Sequence, residues 1–189
     1  DDDLRTDTHW RCSTGVGSFN YRLKLPLKSD LASCQLTVQA WDKDVIASDD
    51  LIGSCDLNLW PMFKDINITG RQVMFTQKYF EQHAKKAMLD MGDELAREIE
   101  WEEDSKFWLP MKRLNQENNV WVSAGDVLCS VSIVKKDFTE KYPQGIGREE
   151  PNNDPHCPPP EGRIKLSINP FEMLSQLIPP KMKRMIIMA

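Results

Sequence analysis

The chain has 189 residues, 40% hydrophobic and 28% charged, which is enough to bury one ordinary core and carry an appendage. Its net charge of −5 argues against nucleic acid as a partner, because phosphate binding needs a clustered cationic face. The cysteines Cys12, Cys34, Cys55, Cys129 and Cys157 never form a close metal-type pair and three lie in strand-like segments, so buried thiols are expected rather than a disulfide framework.

After the acidic start Asp1 to Asp7, THWRC and SFNYRLKLPL read as two antiparallel strands joined by Ser13 to Gly17. Alternation puts Phe19, Tyr21, Leu23 and Leu25 on a core side and Asn20, Arg22 and Lys24 on an outer side. Arg22, Lys24 and Lys28 make a basic strand face that serves solubility or meets acidic lipid headgroups. His9 is read as a strand residue, and with His83 and His156 in unlike contexts no triad or zinc spacing is present.

CQLTVQAW and LIGSCDLNL both alternate apolar and polar residues, the pattern of half-buried strands. Between them, WDKDVIASDDLIG gathers Asp42, Asp44 and Asp50 in one short connection, with Asp49 as an adjacent acid. Crowded carboxylates repel unless water separates them or a cation neutralises them, and calcium takes about 6 to 8 oxygen ligands. Asp-x-Asp places two carboxylates on one side of an extended segment, and Asp50 closes back onto them. Val45 and Ile46 stand at the loop tip, where burial in a headgroup boundary would add on the order of 2 to 4 kcal/mol at about 25 cal/mol per Å². Lys43 adds an electrostatic contact.

From Thr76 to Asp104, Phe80, Ala84, Ala87, Met88, Met91, Leu95 and Ile99 recur at spacings of three and four, which predicts an amphipathic helix with an acidic, fraying end. Strand pattern resumes at KFWLPMKR, NVWVS and GDVLCSVSIVKK, where Val127, Cys129, Val131 and Ile133 face one way and Leu128, Ser130 and Ser132 the other. Beyond Lys136 the chain turns rich in Pro, Gly and Asn, with Pro158 to Pro160 in a row, and reads as an extended linker. It ends PPKMKRMIIMA, where Lys181, Lys183 and Arg184 before apolar residues look like the shoulder of a membrane span.

An aromatic before the first Asp and Asp-apolar-apolar-Gly at the close resemble the third calcium-binding loop of C2 domains, antiparallel β-sandwiches that dock on membranes. On that resemblance Asp42, Asp44 and Asp50 take the calcium-ligand places. TDTHWRCSTGVGSFNYRLKLPL, KFWLPM, GDVLCSVSIVKK and GIGREEPNNDPH, with INPF after it, narrow the resemblance to the last C2 domain of ferlins and the segment that follows it.

The resemblance implies an all-β fold: a C2-type β-sandwich over residues 1–140, incomplete at about six of eight strands, with a helical insertion at about 76–104. Residues 141–189 would be a Pro-rich linker leading to a missing transmembrane anchor, in a chain cut at both ends. The first calcium loop is absent, so calcium binding by this piece is expected to be weak or nil. The implied role is calcium-regulated docking on anionic phospholipid, at the cytoplasmic face of a vesicle or plasma membrane, in vesicle fusion or membrane repair. The alternative is a calcium-independent scaffold that binds a protein partner through the acidic helical insertion. No His, Cys or Ser stands in a motif suited to nucleophile or general-base duty, so no enzymatic activity is expected.

Overall fold

Alternation along Gln35–Asp42 (β1) turns Leu36, Val38 and Ala40 toward the core and leaves Gln35, Thr37 and Gln39 exposed. β1 pairs antiparallel with Asp50–Asn58 (β2), whose Gly53, Cys55 and Leu57 are buried. The structure, a computed structural model, describes residues 4–10, 12, 15–44, 48–83, 89–90, 99–163 and 169, with the side chains of 89 and 90 outside the description. The chain divides into two compact units, Leu27–Pro143 and a second made of Asp1–Pro26 with Gln144–Ala189.

In the first unit β2 pairs on with Leu89–Asp90 (β4) and, at Ser54 and Lys112, with Lys106–Asn115 (β6). β6 in turn holds Glu100–Glu103 (β5) and Val120–Cys129 (β7), while Val73–Met74 (β3) and Ser132–Ile133 (β8) form a separate pair. Every ladder is antiparallel, so the unit is the incomplete all-β sandwich expected. Val127, Cys129, Val131 and Ile133, which share one face by alternation, turn that face to the core. Leu57, Met62, Phe75, Phe107 and Leu109 are fully buried. Around them Phe75, Phe80, Trp101 and Phe107 stack and tilt at centroid distances between 4.7 and 6.2 Å.

Two elements differ from expectation. Trp60–Thr69 is a helix (α1), started by Pro61, whose missing N–H costs nothing in the first turn, and stopped by Gly70 in the left-handed conformation. It buries Met62, Phe63 and Ile66. The long helix expected over 76–104 is not formed as such. Gln77–Gln82 (α2) is helical, capped by the Thr76 hydroxyl accepting from the Tyr79 N–H at 3.1 Å, but 89–90 and 100–103 are strand. Ile99 and Trp101 pack inward while Glu100, Glu102 and Glu103 stay exposed, a period of two hidden inside a stripe that also fits three and four. Residues 84–88 and 91–98 of the expected helix lie outside the described residues. The last helix among the described residues is Lys136–Lys141 (α3).

In the second unit the expected hairpin of 8–12 with 18–27 is not seen among the described residues. Instead Ser18 exchanges backbone hydrogen bonds with Glu161, and Arg22 with Gly147. The stretch read as a free linker is therefore the pairing partner of the N-terminal segment.

Gly53 allows a close approach of neighbouring strands in the first unit: a Cβ there would stand 2.6 Å from the Ala124 Cβ of β7 and 3.3 Å from the Lys112 carbonyl. Gly53→Ala should destabilise this unit by about 1–3 kcal/mol in urea unfolding, as overpacking does. Ala124→Gly should recover part of that loss in the double variant, because it removes the atom that clashes.

Candidate functional site

The β1–β2 ladder runs to the strand ends, where its last pair is Asp42 opposite Asp50. Like charges directly opposite each other on a ladder are destabilising. Both residues are exposed, as is Asp44 two residues on, and none of the three forms an ion pair among the described residues. Next to them the Trp41 and Leu51 pair is 52% and 40% exposed, with a bulge between Ala40 and Trp41. The loop thus presents acids and large apolar side chains together.

Asp49 and Lys43 are placed otherwise than expected. The Lys43 ammonium donates to both carboxylate oxygens of Asp49, at 2.8 and 3.0 Å, so the cation expected to meet lipid closes the loop on the neighbouring acid. Val45 and Ile46 lie outside the described residues. Asp42, Asp44 and Asp50 stand exposed at this end of the ribbon, whereas Asp49 already has its cation. Among the described residues no group of three or more His, Cys, Asp or Glu is gathered closely enough to hold a metal ion by itself.

The basic strand face also finds other partners. Arg22 donates to the carbonyls of Gly145 at 3.2 Å, Asn153 at 2.8 Å and Pro155, and Lys24 donates to the Gln144 carbonyl at 2.6 Å. Lys28 is exposed and belongs to the other compact unit. A centre that composition did not suggest lies beside Arg22. The Asp7 carboxylate accepts from Arg148 at 2.6 Å and from Arg163, and Arg148 also donates to the Phe19 carbonyl at 2.7 Å. Burial works against the Asp7 anion, but the two guanidiniums outweigh it and hold its carboxyl below the ordinary range. Arg148 lies 5.2 Å over the Tyr21 ring, and Gly147 lets that ring approach, since a Cβ there would come within 2.9 Å of it. The sequence signal was present in GIGREEPNNDPH, but a motif without periodicity names no partner.

The groups that could suggest catalysis are tied up in structure. None of the five cysteines forms a disulfide; burial, with Cys55 near, pushes the Cys129 thiol up to about 12, and burial raises Cys34 as well. The Tyr79 hydroxyl donates to Asp65 at 2.7 Å and its pKa rises through burial and that carboxylate. His83 stacks on the Tyr79 ring at 3.9 Å.

Three curated proteins align with most of this chain. Myoferlin of Xenopus tropicalis is 25% identical over 179 residues, covering 82% of the chain, and the mouse and human myoferlins are 24% and 25% identical over 82% and 80% of it. The chain is related to the ferlins. It spans only 8 to 9% of the length of these relatives. No family model and no solved structure matches it. In this ferlin-related chain, the opposed Asp42 and Asp50 and the Asp7–Arg148 centre are charge clusters among the described residues.

Two outcomes follow from these clusters. Asp50→Asn, measured by thermal unfolding in chelator, should stabilise the first unit by about 0.2–1 kcal/mol, because it removes the opposed like charge. Arg148→Lys should cost the second unit about 1.5–3 kcal/mol, because an ammonium does not reproduce the fork shared between Asp7 and the Phe19 carbonyl; hydrogen exchange at Ser18 and Glu161 reads that loss.

Proposed function

We propose that this chain is a phospholipid-docking module that meets anionic membranes with its β1–β2 loop, serving calcium-regulated vesicle fusion or membrane repair at the cytoplasmic face of a membrane. The observation that carries the reading is the opposed Asp42 and Asp50 pair at the exposed end of a paired ribbon, flanked by Trp41 and Leu51. Two carboxylates forced together by a ladder are an arrangement that a cation relieves.

Asp42, Asp44 and Asp50 would hold the cation; when bound, it supplies the positive charge that anionic headgroups need. The Lys43–Asp49 pair keeps the loop's remaining acid from adding to the repulsion. Trp41 and Leu51 present apolar area of the kind that settles at a headgroup boundary. Since these acids form only one side of a shell, calcium affinity falls at the weak end, about 10⁻⁴ to 10⁻³ M. A membrane anchor beyond the described residues remains part of this reading. The reading as a scaffold with a protein-binding helix over 76–104 has less to stand on, because residues 100–103 are strand.

Co-sedimentation of the chain with vesicles of phosphatidylserine and phosphatidylcholine tests the proposal. Millimolar calcium should raise the bound fraction, and Asp42→Asn with Asp44→Asn should lower the affinity in calcium about tenfold, or roughly 1.4 kcal/mol. Equal binding in calcium and in chelator would refute the calcium dependence. No binding in either would refute membrane docking itself.

A further inference from the structure

We propose that His9 is a proton-sensing latch: neutral, it holds residues 4–22 against residues 144–163, and protonated in mild acid it lets the two segments part. The proposal concerns the second compact unit and does not depend on the membrane-docking reading.

The geometry is that of a buried imidazole whose ring nitrogens find no hydrogen-bond partner among the described residues. The His9 side chain is only 3% exposed and stacks on the Phe19 ring at a centroid distance of 3.9 Å. Both of its ring nitrogens, and the Oδ1 of Asp7, are buried without a hydrogen-bond partner. His9 Nε2 stands 3.9 Å from that Oδ1, too far for a hydrogen bond. The other oxygen, Oδ2, already accepts from Arg148 and Arg163, the two guanidiniums brought in by the C-terminal segment. On its own segment the remaining neighbour is the Cys12 thiol, which donates to the Val16 carbonyl at 3.0 Å, while Glu161, the bridge partner of Ser18, is exposed. A proton on His9 would place a third cation beside one carboxylate, on a ring that is itself shut off from water.

Burial pushes the His9 pKa below its ordinary value of 6.5; Asp7 pulls it up, and Arg163 and Arg148 push it down again. A depressed histidine contributes stability that is complete above pH 6.5 and is lost as pH falls through the folded value. Asp7 keeps its charge over that window, since its carboxyl lies below 3.8. Histidine is thus the group that answers between neutral and mildly acidic pH. The contacts it guards include the backbone pairs of Ser18 with Glu161 and Arg22 with Gly147 and the Arg22 and Arg148 hydrogen bonds, which help to join the two segments.

Amide hydrogen exchange at Ser18, Arg22, Gly147 and Glu161 in the full chain, corrected for intrinsic rates, reads the latch from pH 7.5 to 5. One proton taken up on opening raises the opening constant up to about tenfold per pH unit below 6.5. His9→Phe, which keeps the stack and takes no proton, should flatten that rise. The His9 ring itself, followed by NMR in the native protein, should titrate below 6.5. The proposal is overturned if that ring titrates at or above 6.5, or if the wild type and His9→Phe share one pH profile. Should the variant fail to fold, the ring titration of the native chain decides alone.

Discussion

Eight backbone pairings between Gln35–Asp42 and Asp50–Asn58 are the constraint on which the candidate site depends. A ladder fixes which residues stand opposite one another, and a slip of one residue would turn Leu36, Val38 and Ala40 out to solvent. The buried side of the ribbon therefore sets the exposed end. Because Cys55 and Leu57 must stay inside, Asp42 must stand against Asp50, and the repulsion between them is held in place by apolar burial some residues away. The bulge at Ala40 and Trp41 and the bare backbone at Gly53 make that end fit beneath β7.

A different physics holds the second unit. Among the described residues it has few buried apolar side chains and relies on guanidinium groups that each satisfy several acceptors: Arg22 three backbone carbonyls, Arg148 a carboxylate and two carbonyls. Asn152 stitches the loop further, donating to the Cys157 carbonyl and accepting its N–H at 2.9 and 2.8 Å. Such a unit is specified by directional bonds rather than by area, and its stability answers to charge. That makes proton uptake at one buried imidazole matter there, where it would be lost against the aromatic core of the other unit.

The strands of the first unit were legible because their alternation is carried by β-branched, aromatic and aliphatic residues on one side, as in Val127 to Ile133. The stretch 99–103 was not, since Ile99 also fits a helical stripe and only pairing with β6 favours the extended form. Helix α1 left Pro61 and Gly70 as its marks, but its apolar residues run on from a strand pattern and do not announce a new period. The acids of the β1–β2 loop were found as a cluster. That Lys43 would take Asp49, and that Arg22 would turn to carbonyls 120 and more residues away, are long-range or geometric facts that no spacing encodes.

From pattern in the sequence came the paired ribbon and its acidic loop, and from the resemblance of its motifs to ferlins the all-β class, because each rests on residues near one another in the chain. Tertiary structure alone decided that the N-terminal segment pairs with residues of the 144–163 stretch, and that Asp7, Arg148 and Arg163 meet beside the buried His9 ring. Local periodicity reports which side of an element is apolar; it carries no information on which distant backbone will come to satisfy a buried charge.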